Sequence, residues 1–268
     1  MQDKLVEWFA EDLGKGDVTS LAVVNNEFCN AKVTGGPGVI SGLSICKILL
    51  KQHSINFTTE YEDGDTIVSP LIFSLEGKSH DILATERLLL NILSHLSGIS
   101  THTNKIVRIA KKANPNVEIL ATRKTLPGLR DIEKRAVVHG GGATHRMRLD
   151  DAILIKDNHL KLSKNIKKSI EISRSKYPNL MVEVEADNEQ QAIEIAKNGA
   201  DRVMLDNFSP DEATATIRKL REISDIEIEI SGGVTIENVA SYAKDADFIS
   251  LGSLTMSSLP VDFSLHVL

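Results

Sequence analysis

From residue 117 onward, short β-rich segments alternate with segments of helical periodicity, and this alternation constrains the fold more than any other feature of the chain. The β-rich segments cover 117–121, 152–156, 180–185, 202–206, 226–231 and 248–252. Helical segments lie between them, near 130–138, 164–176, 188–198, 210–223 and 236–244. Repeated βα units predict a parallel sheet with right-handed crossovers. Because six strands cannot close an eight-stranded barrel, we expect an open α/β barrel, with a doubly wound sheet as the alternative.

Some of the predicted helices carry signals at their ends. Ser209 precedes Pro210 and Glu212, which predicts an N-cap, a proline at the first helical position and an acid at the third. Asp187 and Gln190 form a similar pair for the helix near 188–198. The Asn-Gly sequence at 198–199 predicts the end of that helix.

The first 105 residues have a different, less regular pattern. Segments 28–34 and 66–75 are β-rich, 41–52 is helical, and 80–110 predicts a long helix in which Gly98 marks a candidate break. We therefore expect a mixed α+β domain over 1–105 and the open barrel over 106–255. Residues 256–268 form a tail that could return to the first domain.

Composition excludes several classes of protein. The 268 residues are 41% hydrophobic and 25% charged, as in globular proteins. Aromatic residues make up only 4% and the pI is near 5.8, which argues against nucleic-acid binding. Cys29 and Cys46 form no CxxC pair, so we expect a reducing, cytoplasmic location and no zinc site. Neither a secretory signal nor a membrane span is expected, because no apolar run is long enough.

One segment, 121–159, reverses the sign of the chain, whose net charge is −6. It holds five acids and eight cations, and the cations are Arg123, Lys124, Arg130, Lys134, Arg135, Arg146, Arg148 and Lys156. A local basic region in an acidic protein predicts a pocket for an anionic small molecule.

Polar and charged residues also follow the predicted strands. In parallel α/β folds the ligand binds at the carboxyl ends of the strands, so these residues should meet at one rim. They are Arg123, Lys124, Lys156, Glu183, Glu185, Asp206, Asn207, Ser231, Gly232, Gly233, Gly252 and Ser253. Any one of them could be a helix cap or a solvated loop residue, but their recurrence after every strand favours a site.

Within this rim, the glycine-bearing strand ends and the acidic strand ends each predict what the site would bind. Ser231-Gly232-Gly233 opens a predicted helix and Gly252-Ser253 follows the next strand, a pattern typical of phosphate sites, although glycines also simply turn a chain. Glu183 and Glu185 alternate along one face of a strand. With Asp206 they could hold Mg²⁺, accept sugar hydroxyls or stabilise a carbocation; an outward-facing polar stripe is the alternative.

The sequence allows more than one role for His145 and for Lys156. His145 follows a triple glycine and precedes Arg146, so it could act as a general acid or donate a hydrogen bond to a carboxylate; a surface histidine is the alternative. Lys156 stands where a Schiff-base lysine would stand, but the surrounding cations favour a role in neutralising an anion.

Long motifs in both parts of the chain resemble the quinolinate phosphoribosyltransferase family. They include EDLGKGDVTS at 11–20, ERLLLNILSHLSGIST at 86–101, TRKTLPGLR at 122–130, GGGATHRMRLDDAILIKDNH at 140–159, VEVEADN at 182–188, ADRVMLDNFSP at 200–210 and EISGGVT at 229–235. The resemblance covers nearly the whole chain. Thr144 and Met256 depart from the family pattern, which often has Asn and His there, and neither change removes a charge from the expected site.

The resemblance implies an N-terminal α/β sandwich domain and an open α/β barrel in a homodimer, or in a larger assembly of dimers such as a hexamer. It implies transfer of the phosphoribosyl group of phosphoribosyl pyrophosphate (PRPP) to quinolinate, with Mg²⁺ and loss of CO₂, in NAD biosynthesis. By motif, cations around the quinolinate and pyrophosphate would be Arg123, Lys124, His145, Arg146, Lys156 and, from the partner subunit, Arg87. Glu185 and Asp206 would serve the ribose and metal, with Glu183 beside them. The 5-phosphate would be bound by Ser231, Gly232, Gly233, Gly252 and Ser253.

Three other functions compete with this one. A phosphoribosyltransferase for a monocarboxylate such as nicotinate would need fewer cations than this rim provides. A Schiff-base aldolase would use Lys156. A non-catalytic sensor of phosphorylated metabolites would need the binding groups without turnover.

Overall fold

The structure, a computed structural model, describes residues 1–268, which form two compact units. The first comprises Met1–Asn104, Arg135–Gly141 and Ser258–Leu268. The second comprises Lys105–Lys134 and Gly142–Ser257. Elements are numbered in chain order. None of the helices combines the length and the apolarity that crossing a membrane requires.

Up to residue 113 the elements are α1 (Gln2–Leu13), α2 (Val18–Val23), β1 (Phe28–Gly35), α3 (Leu43–Gln52), β2 (Asn56–Thr58), β3 (Leu71–Lys78) and α4 (Ser79–Ala113). The barrel elements are β4 (Glu118–Ala121), α5 (Arg130–His139), β5 (Ala143–Thr144), β6 (Ile153–Ile155), α6 (Asp157–Ser163), α7 (Ile166–Lys176), β7 (Val182–Ala186), α8 (Glu189–Lys197), β8 (Arg202–Asp206), α9 (Pro210–Ile223), β9 (Glu227–Ser231), α10 (Val239–Ala243), β10 (Phe248–Leu251) and α11 (Ser253–Met256). The last strand is β11 (Phe263–Val267).

The first unit is built on a four-stranded antiparallel sheet in the order β11-β1-β3-β2. Val33 on β1 pairs with Phe73 on β3, and both side chains are fully buried. The expected strand 66–75 is wrong in its first half, since β3 begins at Leu71. The reason is Tyr61, whose hydroxyl accepts hydrogen bonds from the N–H groups of Val68 and Ser69 and so replaces a strand ladder there.

Helix α4 is continuous, so the candidate break at Gly98 is wrong. Gly98 serves instead for close approach of the backbone: a Cβ atom there would lie 2.4 Å from the carbonyl oxygen of Leu259. A glycine in mid-helix costs up to about 1 kcal/mol relative to alanine, and the close contact explains why it stands there.

The second unit contains an open parallel sheet in the order β5-β4-β10-β9-β8-β7-β6. The six predicted strands are all present, and the sheet has seven strands rather than six. The seventh, β5, has only two residues, too few to give a β-rich run. From β6 to β10 each strand lies beside the next in sequence without reversal. This order is that of an open barrel and excludes the doubly wound alternative, in which the direction reverses.

The helix-end signals are partly confirmed. Ser209 caps α9 in a reciprocal capping box with Glu212. The prediction for Asp187 is wrong: Asn188 caps α8 by accepting a hydrogen bond from the N–H of Gln191. These caps fix where each helix leaves the sheet, and so where the preceding strand presents its last residue.

Candidate active site

A cavity of about 560 Å³ opens where the barrel strands β4, β6, β8, β9 and β10 end. Its lining comes from both the basic segment and the acidic and glycine-bearing strand ends. The lining residues are Thr122, Arg123, Lys124, His145, Arg146, Leu154, Lys156, Met204, Asp206, Asn207, Glu229, Ser231, Gly232, Gly233 and Ser250. The fold therefore brings together side chains that are more than 100 residues apart in the chain.

Two arginines form the cationic side of this cavity. The Arg123 Nε is buried and makes no hydrogen bond within the protein. The Arg146 guanidinium donates to the carbonyl oxygen of Ala152 at 3.1 Å, which fixes its position. Burial, and then the charge of Arg123, lowers the pKa of Arg146 from its usual value. Two guanidinium groups that repel each other in a partly buried site favour an anion between them.

His145 lies at the floor of the cavity with both ring nitrogens engaged by the protein. Its Nε2 lies 2.8 Å from Glu183 Oε2 and 3.4 Å from Glu229 Oε2, and its Nδ1 accepts the N–H of Arg146 at 2.7 Å. Burial opposes a charged imidazole, but hydrogen bonds to the two carboxylates outweigh it and raise the pKa of His145 to about 9. In the neutral imidazole the Arg146 hydrogen bond leaves the N–H on Nε2, facing the carboxylates; protonation of the ring puts a second N–H on Nδ1 and breaks that hydrogen bond.

The two carboxylates below His145 are completely buried and belong to a larger charged group. Glu229 also contacts Arg202, whose Nη1 lies 3.3 Å from Oε2. Burial and the charge of Glu229 raise the pKa of Glu183. The donor atoms of His145, Glu183 and Glu229 lie within 4.8 Å of one another, as metal ligands would. Arg202 already supplies positive charge there and His145 Nε2 faces both carboxylates, so we interpret the cluster as a support for the imidazole.

Glu185 and Asp206 form an acidic pair, of which Asp206 lines the cavity and Glu185 does not. Lys156 Nζ donates to Glu185 Oε2 at 2.5 Å. Burial and the negative charge of Glu185 raise the pKa of Asp206. Asn207 donates from Nδ2 to Asp206 at 2.7 Å. Two carboxylates close enough to repel each other provide the hard oxygen ligands that Mg²⁺ prefers, so the residues present fit this ion.

The glycine pair after β9 has a left-handed backbone conformation. Gly232 and Gly233 have φ values of 80° and 63°, which L side chains rarely adopt. A Cβ atom at Gly232 would also lie 2.3 Å from the Asn207 side-chain oxygen. The expected helix does not begin at this point, because α10 starts only at Val239. An anion here would therefore be bound by loop N–H groups rather than by a helix dipole.

Gly252 and Ser253 follow β10 but do not line the cavity; Ser250 does, and its hydroxyl donates to Ser231 Oγ at 3.0 Å. Gly252 makes room for another site residue. A Cβ atom there would lie 2.6 Å from the Cδ atom of Lys124, whose side chain is exposed. The glycine thus sets the path of the Lys124 side chain into the cavity.

Arg87 lies on α4 in the first unit, with an exposed side chain. Three supporting residues were missed by sequence reasoning: Glu229, Arg202 and Ser250. Glu229 had a signal, because Glu227 and Glu229 alternate along β9 as Glu183 and Glu185 do along β7.

Comparison with known proteins gives consistent results over the whole chain. The N-terminal domain model of quinolinate phosphoribosyl transferase matches residues 17–97, and the C-terminal domain model matches residues 99–266. A probable carboxylating nicotinate-nucleotide pyrophosphorylase from Archaeoglobus fulgidus is 42% identical over 258 residues, covering 94% of this chain and 98% of the relative. The human carboxylating nicotinate-nucleotide pyrophosphorylase is 34% identical over 236 residues, covering 86% and 79%.

Solved structures give the same result. The nicotinate-nucleotide pyrophosphorylase of Francisella tularensis superimposes with a TM-score of 0.93 at 32% identity, covering 100% of this chain and 95% of that one. Fold, strand-end residues and sequence agree, and the chain belongs to the quinolinate phosphoribosyltransferase family.

Proposed function

We propose that this protein transfers the phosphoribosyl group of PRPP to quinolinate and releases pyrophosphate and CO₂, giving nicotinate mononucleotide for NAD biosynthesis. One observation carries the proposal: a single cavity is lined by two arginines, by Asp206 of the acidic pair, and by the glycines that follow β9. A dicarboxylate, a ribosyl cation and a phosphate are the three charges that these groups would match. We propose further that the protein works as a cytoplasmic homodimer.

Quinolinate is a dianion, and its two carboxylates require separate partners. Arg123 and Arg146 line the same cavity, and each can grip a carboxylate through two N–H donors. The unpartnered Arg123 Nε is a donor for one of them. Lys156 is paired with Glu185 at 2.5 Å, so its charge is already partly balanced within the protein.

PRPP would lie along the opposite side. The N–H groups of the loop at Gly232 and Gly233, with the Ser231 hydroxyl, are the candidates for the 5-phosphate. Glu185 and Asp206 are the candidates for Mg²⁺, which when bound would neutralise pyrophosphate charge. In this arrangement the same two carboxylates would stabilise the positive charge that develops on the ribose as pyrophosphate leaves.

The decarboxylation follows from the product of the transfer. Once the ring nitrogen is ribosylated it is positively charged, and the bond from C2 to its carboxylate breaks with the electron pair left on C2. A proton then adds to C2. Because both nitrogens of His145 are engaged by the protein, we assign this proton, directly or through water, to the exposed Lys124 rather than to His145.

The decisive experiment supplies purified protein with PRPP, Mg²⁺ and quinolinate labelled in the C2 carboxylate. We expect stoichiometric release of labelled CO₂ and pyrophosphate. Activity on nicotinate with none on quinolinate would overturn the proposal. Trapping of a carbonyl substrate on Lys156 by borohydride would instead support the aldolase, and ligand binding without any turnover would support the sensor.

A further inference from the structure

Lys134 belongs to the basic segment but does not belong to the cavity. Of the eight cations in 121–159 it is the one that is buried, with no exposed surface at all. It lies on α5, and it is not one of the residues that line the cavity. A buried ammonium needs strong hydrogen-bond acceptors, because the interior provides no water to solvate it.

The acceptors are two consecutive backbone carbonyls. Lys134 Nζ donates to the carbonyl oxygen of His145 at 2.7 Å and to that of Arg146 at 2.8 Å. Successive carbonyls of an extended strand point in opposite directions. Here both converge on one atom, so the chain leaves β5 and turns at this dipeptide.

The turn determines where two side chains of the cavity go. The His145 side chain contacts Glu183 and Glu229, and its backbone N–H donates to the carbonyl oxygen of Ala121 at 3.2 Å. The Arg146 guanidinium donates to the carbonyl oxygen of Ala152. The backbone between these anchors is held at its carbonyls by Lys134.

Keeping a cation at this position is costly. Burial first, and then the positive charges of Arg130, Arg123 and Arg146, lower the pKa of Lys134 to about 8, against the opposing effect of Asp151. A side chain that only filled this space would be less costly if it were apolar. This cost is explained if the ammonium positions His145 and Arg146, whose carbonyls it holds.

We infer that Lys134 is a positioning residue for the acid-binding site: by holding the carbonyls of His145 and Arg146 it sets the Arg146 guanidinium in its place in the cavity. The inference rests on the proposed function, since it concerns the groups that would receive the quinolinate carboxylates. It predicts a selective defect, in which binding of the acid is weakened and binding of PRPP is largely retained.

The test compares Lys134→Met with Ile132→Ala, a buried residue two positions away on the same helix that does not line the cavity. Quinolinate binding is measured by calorimetry, and KM for PRPP by turnover at saturating quinolinate. For Lys134→Met we expect the Kd of quinolinate to rise about tenfold or more, with less than about a threefold change in KM for PRPP. Ile132→Ala should lower the melting temperature without changing either constant.

Three outcomes decide the matter. Wild-type affinity for quinolinate in a folded Lys134→Met protein, or an equal loss for both substrates, overturns the inference and leaves the proposed function intact. Failure of the wild-type protein itself to bind quinolinate overturns the proposed function. If Lys134→Met does not fold, Lys134→Gln, which keeps a neutral donor on a shorter side chain, is put through the same two measurements and the same criteria.

Discussion

At the scale of single residues, the cavity separates two kinds of charge by depth. Cations that would meet a ligand lie at the surface or half-buried, whereas the groups that orient them are completely buried: Glu183, Glu229 and Lys134. Removal of a partner from a buried charged group leaves the other charge unpaired, which costs about 3–5 kcal/mol in measured cases. Substitutions of the completely buried groups should therefore affect stability and binding together, whereas substitutions of the more exposed residues should affect substrate binding or turnover with less effect on stability.

Glu185→Gln is the sharpest test at the rim. The amide keeps the size of the side chain but loses the charge that would stabilise the ribosyl cation, and we expect turnover to fall by about tenfold or more. Glu189→Gln is the matched control, because Glu189 also pairs with a lysine, Lys219 at 2.6 Å, on the outer helices. Unchanged turnover in Glu185→Gln, measured with both substrates saturating, would show that the charge of Glu185 takes no part in the reaction.

At the scale of elements, function is concentrated at strand ends and in the loops that follow them. The loop after β9 and the first residue after β8 fit together, since Asn207 has a φ of 59° and its side chain occupies the space beside Gly232. A change at one therefore moves the other.

Gly232→Ala tests the cradle, and Gly199→Ala is its control. Both glycines have positive φ values, 80° and 75°, so alanine is strained at each, by about 1 kcal/mol. Only at Gly232 would the added Cβ also meet a side chain, that of Asn207. We expect KM for PRPP to rise about tenfold in Gly232→Ala and to stay within about twofold of wild type in Gly199→Ala. Equal KM values in the two variants would mean that this loop does not bind the phosphate.

Sequence patterns predicted these elements where hydrophobic runs are long, and failed where a local contact replaces the pattern. The six apolar strands and the charged residues after them could be read directly. β5 could not, because two residues give no periodicity. Nor could the depth of Lys134, since a charge pattern does not distinguish an ammonium that faces a ligand from one that faces two backbone carbonyls. The carbonyl positions depend on tertiary structure.

At the scale of the whole molecule, we propose that a second subunit contributes to each site. Arg87 is exposed on α4, and the family resemblance implies that it serves the site of a partner subunit. In a closed twofold dimer the same pair of surfaces meets twice, so each dimer would contain two such shared sites.

Subunit mixing tests this arrangement. Arg87→Ala and Lys156→Ala should each be nearly inactive alone. After mixing and exchange, half of the dimers are hybrids in which one of the two sites is intact, so we expect about a quarter of wild-type activity. Arg108→Ala, an exposed cation further along α4, should keep its activity without mixing. Absence of recovery when exchange is demonstrated by native mass spectrometry would place Arg87 outside a shared site.

The pairing of β11 with β1 has a consequence for synthesis of the chain. One edge of β1 is covered by β3 as soon as residue 78 is available, but the other is covered only by Phe263–Val267. The ring of Phe263 occupies the space above Gly35. Since the ribosome makes the amino-terminal part first, β1 presents a bare strand edge while the entire barrel is being translated. A chain that ended before these last residues would contain the whole barrel, but its first unit would keep an unpaired strand edge that can pair with other chains.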